Sequence, residues 1–153
     1  RQMCIRDSCI SLKKIGNMPK LKTIGSAVFK GCSALESIGD LSSLTSIGSS
    51  AFSGCSSLAS IGNLSNATSI GNSAFYNCSA LASVGDLSNV TSIGMQAFSG
   101  CSVLTSVGDL RSVTSIGYYA FDNCDNLTLR VLPDSYAENY AKSNSIPYTY
   151  IED

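Results

Sequence analysis

The chain is expected to fold as a right-handed repeat solenoid, built from 23-residue coils of short β-strands and turns and closed by a C-terminal capping helix. Three observations predict this. Cys9, Cys32, Cys55, Cys78, Cys101 and Cys124 are spaced by 23 residues at every step. All five phenylalanines and all 13 glycines keep the same period. After Cys124 the period stops, and "DSYAENYAKSN" (134–144) takes on a helical pattern instead.

Within each coil the apolar columns come in order. Three residues after cysteine stands Leu12, Leu35, Leu58, Leu81, Leu104 or Leu127. Six after stands Ile15, Ile38, Ile61, Val84 or Val107, and nine after stands Met18, Leu41, Leu64, Leu87 or Leu110. Ile24, Ile47, Ile70, Ile93 and Ile116 follow at fifteen, and Phe29, Phe52, Phe75, Phe98 and Phe121 at twenty. The segments "L-x-S-I-G" and "V-T-S-I-G" read as two very short strands, each ended by a glycine turn. "AFSGC" reads as a tight turn. Its glycine column, Gly31, Gly54 and Gly100, is filled by Asn77 and Asn123 in the other coils. Gly and Asn share little except ease of positive φ, so this column is expected to be a backbone corner. One coil cannot bury its apolar face alone, whereas stacked coils can. This is the leucine-rich-repeat type of period.

The cysteines are expected to be buried free thiols, each helping to satisfy a backbone carbonyl at the turn. A disulfide framework and a metal site are the weaker readings. Stacked residues in register hold Cβ atoms ~5 Å apart, too far for a relaxed disulfide. The chain has no histidine to complete a metal site.

The pattern "A-F-x-G-C-S-x-L-x-S-I" with a second "T-S-I-G" resembles the BspA-type, or treponemal, leucine-rich repeats over residues 9 to about 132. The resemblance implies a binding scaffold within a larger surface or secreted protein, adhesin-like, of the kind that contacts host matrix or other cells. It implies a protein or glycan partner without saying which.

Three segments are expected. Residues 1–8, "RQMCIRDS", match no repeat column. They read as two overlapping translations of the transposon-end adapter AGATGTGTATAAGAGACAG: one frame yields Met-Cys-Ile-Arg-Asp and another ends in Arg-Gln. We expect a scar of environmental (metagenomic) sequencing and exclude it from fold reasoning. The natural chain is then expected to begin upstream, with its export signal outside this sequence. Residues 9–132 form the solenoid, five full repeats and a partial one. Residues 133–153 form the cap, in which Asp134 or Ser135 accepts from the first helical turn, Glu138 sits early and Lys142 late. Tyr136, Ala137, Tyr140 and Ala141 make the apolar stripe that covers the last coil, and "IPYTY" is a final extended segment.

Composition excludes several functions. Net charge is −1 and 14% of residues are charged, so no basic surface for nucleic acid is present. No apolar run reaches the ~20 residues of a membrane span. No catalytic residue and no cofactor are expected, because no serine or cysteine has a base beside it in the pattern. The column Asn17, Asp40, Asn63, Asp86 and Asp109 could stack oxygen ligands for a cation, but an Asx turn at each corner is the preferred reading.

Candidate ligand contacts are the bulky residues in small outward columns, Tyr76, Met95, Tyr118 and Tyr119. Packing under the cap helix is the preferred reading for Tyr118 and Tyr119. Lys13, Lys14, Lys20 and Lys22, with Lys30, make one basic end that could attach to an anionic surface; a solvated edge that discourages strand addition is preferred. Five Asn-x-Ser/Thr triplets begin at Asn63, Asn66, Asn77, Asn89 and Asn126, a number expected by chance in such a composition. The expected function is therefore non-catalytic binding at the cell surface or after secretion. A structural spacer and an intracellular interaction scaffold are the alternatives.

Overall fold

The computed structural model describes residues 9–153. The adapter reading of residues 1–8 lies outside the described residues. The chain forms a β-solenoid of about six turns. Its strands are β1 (Lys14–Ile15), β2 (Thr23–Ile24), β3 (Ser37–Ile38), β4 (Ser46–Ile47), β5 (Ser69–Ile70), β6 (Ser92–Ile93), β7 (Ser115–Ile116), β8 (Leu129–Val131) and β9 (Tyr148–Tyr150). A C-terminal helix, α1 (Tyr136–Ser143), lies between β8 and β9.

The T-S-I-G strands build one parallel sheet in the order β2-β4-β5-β6-β7, with Ile24, Ile47, Ile70, Ile93 and Ile116 in register. The other strand column is weaker than expected. It pairs β1 with β3 and then continues only as isolated bridges at Ser37–Ser60 and Ser83–Ser106. The difference lies at the following glycine. Gly39 N–H still donates to Ile15 O at 2.9 Å, but Gly108 N–H turns to its own coil's Ser106 Oγ. Gly85 and Gly108 have φ of 75° and 73°, which turns the chain away from the ladder in those two coils, whereas Gly62 has no positive φ.

The core follows the predicted columns. Leu35, Leu58, Leu81 and Leu104 are fully buried, as are Phe52, Phe75 and Phe98. The five phenylalanines stack with centroids 5.2–5.4 Å apart and planes within 16°. The Gly/Asn column has positive φ at all five positions, from Gly31 to Asn123, as its residue types predicted. In the first coil Ile10 is exposed, and Leu12, Ile15 and Met18 are half-buried.

The T-S-I-G glycines serve a different need from the turn assigned to them above. None has positive φ. A Cβ on Gly48 would meet Gly25 C at 2.6 Å, and one on Gly71 would meet Ser49 N at 2.6 Å. These glycines let successive coils approach.

The cap is held by a buried glutamate, Glu138. Ser135 Oγ accepts from Glu138 N–H at 3.1 Å, and the Glu138 carboxylate accepts from Asp134 N–H at 2.7 Å. The same carboxylate accepts from Tyr150 Oη at 2.6 Å and pairs with Lys142 Nζ at 2.9 Å. Ala137 and Ala141 are fully buried, and Tyr140 packs edge-on against Phe121 at 6.2 Å. Tyr136 is partly exposed, but its hydroxyl lies on β7, accepting from Ile116 N–H at 3.3 Å.

Candidate binding surface

The thiol ladder is structural. Sγ of Cys55, Cys78, Cys101 and Cys124 each donates to a phenylalanine carbonyl of the preceding coil, at 3.0–3.2 Å. Burial pushes the Cys55, Cys101 and Cys124 thiols up to about 12 and raises Cys32 and Cys78 as well. These groups stay protonated and poorly nucleophilic. Cys32, Cys55, Cys78, Cys101 and Cys124 form no disulfide, as expected. Cys9 corrects the expectation, since it is disulfide-bonded. It stands where the regular coils begin and so escapes the geometry that keeps the stacked thiols apart.

The Asx column does what the turn reading predicted at four of its five positions; Asn17 Oδ1 instead accepts from Asp40 N–H in the next coil, at 2.8 Å. The side chains of Asp40, Asn63, Asp86 and Asp109 each accept from the backbone N–H two residues on, at 2.8–2.9 Å. Asp86 and Asp109 are column neighbours, and Arg111 offsets the second charge through an ion pair at 2.8 Å to Asp109. Partial burial pushes the Asp109 carboxyl up, but the hydrogen bonds and charge of Arg111 outweigh it and hold the pKa low. No group of three or more His, Cys, Asp or Glu side chains converges among the described residues.

A shallow outward trough of about 470 Å³ crosses β4–β7. Ser69, Ser92 and Ser115 line it as one column, with Asn72, Met95 and Tyr118 as another. Every lining residue is uncharged. The threonines beside the serines are committed to the ladder: Thr68, Thr91 and Thr114 Oγ1 donate to the carbonyl 23 residues earlier. Hydroxyls and one aromatic ring therefore define the trough's chemistry.

The structure brings some predicted contacts together and separates others. Met95 and Tyr118 are column neighbours in the trough, 45% and 80% exposed. Tyr119 is 63% exposed and lines a different cleft with Tyr140. The expectation that Tyr118 and Tyr119 pack under the helix is thus corrected, because Ala137, Tyr140 and Ala141 occupy that place. Tyr76 is half-buried on the turn, in the column of Lys30 and Asp122. Lys13, Lys14, Lys20, Lys22 and Lys30 are all exposed in the first coil. They lie about four rungs from Tyr118, ~19 Å at the usual ~4.8 Å strand spacing. Sequence reasoning missed the role of Glu138; the Ser135-x-x-Glu138 spacing of a capping box carried the signal.

Stacked coils with regular apolar columns inside and varied polar columns outside are the architecture of a repeat protein. Comparison with known families agrees: the BspA type leucine rich repeat region matches residues 5–128 in 6 copies. The chain belongs to the BspA-type leucine-rich repeat family. It is similar to the crystal structure of a T. pallidum leucine-rich repeat protein, with 29% identity and a TM-score of 0.69 over 76% of this chain and 57% of that one. It is also similar to a leucine-rich repeat protein from Bacteroides ovatus, with 27% identity and a TM-score of 0.61 over 92% of this chain and 43% of that one. The chain thus spans about half the length of these two proteins. No curated protein matches it. Repeat proteins of this kind have a protein-interaction role and are generally non-enzymatic. No helix among the described residues is long and apolar enough to cross a membrane.

Proposed function

We propose that the chain is the ligand-binding repeat segment of a larger surface or secreted adhesin-like protein, and that it grips a protein or glycan of host matrix or of another cell. The observation that carries this reading is the uncharged trough across β4–β7, where Met95 and Tyr118 stand exposed above a column of serines. An exposed tyrosine beside hydrogen-bonding groups is an economical anchor, because it offers large area at low side-chain entropy cost. Each rung contributes little, so affinity comes from several coils acting together. A binding panel of matrix proteins and oligosaccharides on the whole chain tests this. Tyr118→Ala combined with Met95→Ala should weaken the best binder about tenfold or more, the loss typical of a hot-spot pair. A folded chain that binds no member of the panel counts against the reading. Recovery of the complete gene tests the location, since an upstream export signal is required by it.

A further inference from the structure

Successive coils are joined on their turn side by a regular set of bonds. Each turn sends three N–H groups forward to carbonyls of the next coil. Ala27, Phe29 and Gly31 reach Ser49, Ala51 and Ser53; Ser50, Phe52 and Gly54 reach Asn72, Ala74 and Tyr76. Ser73, Phe75 and Asn77 reach Met95, Ala97 and Ser99; Gln96, Phe98 and Gly100 reach Tyr118, Ala120 and Asp122. All twelve bonds measure 2.7–2.9 Å.

The cap ends this pattern unevenly. Away from the turns a substitute rung is present: Tyr136 Oη of the cap donates to Ile116 O, and Arg130 O of β8 accepts from Leu110 N–H. On the turn side the cap supplies none. The N–H groups of Tyr119, Phe121 and Asn123, equivalent to Gln96, Phe98 and Gly100, have no acceptor among the described residues. They border a cleft of about 490 Å³ whose far wall is Tyr140 and residues 144–147. The edge is therefore a row of donors beside an open space.

We propose that this edge takes an extended, cationic segment of a partner polypeptide as one more rung. Continuity with the ladder argues for main chain, because three donors at alternate residues call for three carbonyls at matching intervals. Tyr140 stands edge-on over Phe121, where another coil would place its phenylalanine, so the segment needs small residues on its inward side. Asp122 and Asp125 are exposed at the rim, and neither is in an ion pair among the described residues. They favour lysine or arginine on the outward side and oppose a free anion as the acceptor.

Amide hydrogen exchange on the whole chain tests this, with the blocked peptide acetyl-(Gly-Lys)₃-amide as probe. In the free chain the amides of Tyr119, Phe121 and Asn123 should exchange at least 100-fold faster than those of Gln96, Phe98 and Gly100. Millimolar peptide should slow them at least tenfold, and Asp122→Asn with Asp125→Asn should weaken that effect several-fold without altering the fold. The proposal is overturned if these amides are already protected in the free chain, if the peptide leaves them unchanged, or if sodium acetate slows them and the peptide does not. Peptide attraction to the acidic rim without amide protection overturns it as well.

Discussion

Cys78 Sγ lies 3.1 Å from the carbonyl oxygen of Phe52, which also accepts from Cys55 N–H in its own coil at 3.1 Å. One carbonyl thus joins two coils, and the thiol is the smallest apolar side chain able to supply the second donor. Cys78→Ala removes that donor and leaves a small void, so it should cost about 1–3 kcal/mol in denaturant unfolding. Cys78→Val loses the donor too, so it should not restore stability even though it refills the volume.

The raised thiol pKa values set a pH dependence. In the unfolded chain cysteine titrates near ~8.5, whereas the folded Cys55, Cys101 and Cys124 hold their protons to about 12. The folded state therefore binds more protons between these values. Its stability is complete below ~8.5 and declines as pH rises toward 12. Thermal melts between pH 7 and 10.5 should show the midpoint falling above pH 8.5. A flat profile would contradict the buried ladder.

Glu138 works at the opposite end of the scale. Hydrogen bonds from Tyr150 first, then Lys142 and Asp134, lower its pKa to about 2. Its stabilising effect is complete above the ordinary glutamate pKa near ~4.3 and is lost as pH falls toward 2. Limited proteolysis after residue 133 should accelerate over that range. In Tyr150→Phe the acceleration should begin at higher pH, because the bond that lowers the pKa most is gone.

Gly71 and Gly25 occupy the same column in different surroundings. A Cβ at Gly71 meets Ser49 N at 2.6 Å and Gly48 C at 2.7 Å, whereas among the described residues one at Gly25 meets only Val28 Cγ2, at 3.5 Å. Gly71→Ala should destabilise by about 1–3 kcal/mol, as overpacking against backbone does, while Gly25→Ala should stay within about 0.5 kcal/mol. Equal effects in chemical denaturation would rule out close approach as the reason for this column.

Phe75→Ala should cost about 3–5 kcal/mol as a buried large-to-small change. Ser79→Ala, on an exposed outward position, should stay within about 0.5 kcal/mol. The pair separates the interior of the coil from its surface in one unfolding experiment.

Much of the fold was legible because stacking repeats each requirement in every coil. The Phe, Leu and Ile columns record burial directly. The backbone corner is recorded where Gly31, Gly54 and Gly100 alternate with Asn77 and Asn123. A second left-handed corner was not legible. Ala27, Ser50, Ser73, Gln96 and Tyr119 all have φ between 55° and 58°, yet none is Gly or Asn. The ladder bond from each of the first four N–H groups holds the conformation, so the residue type carries no trace of it. Gln96→Gly should accordingly raise stability by about 1 kcal/mol, the relief of a side chain from the left-handed region. The binding surface was legible only as bulky outliers. Which of them share a trough depends on turn geometry, and that separated Tyr119 and Tyr76 from Met95 and Tyr118.

The bonds between coils run in two senses. On the turn side the N–H groups of Ser50, Phe52 and Gly54 point to the following coil, while those of Thr45, Gly48 and Ala59 point to the preceding one. An α-helix aligns all its peptide dipoles and accumulates partial charge at its ends. Here peptides of both senses occur within one repeat, so their axial dipoles oppose one another instead of all adding. A solenoid of this design gains less axial field per added coil than a helix gains per turn, and more of the electrostatic character of each end is left to its side chains.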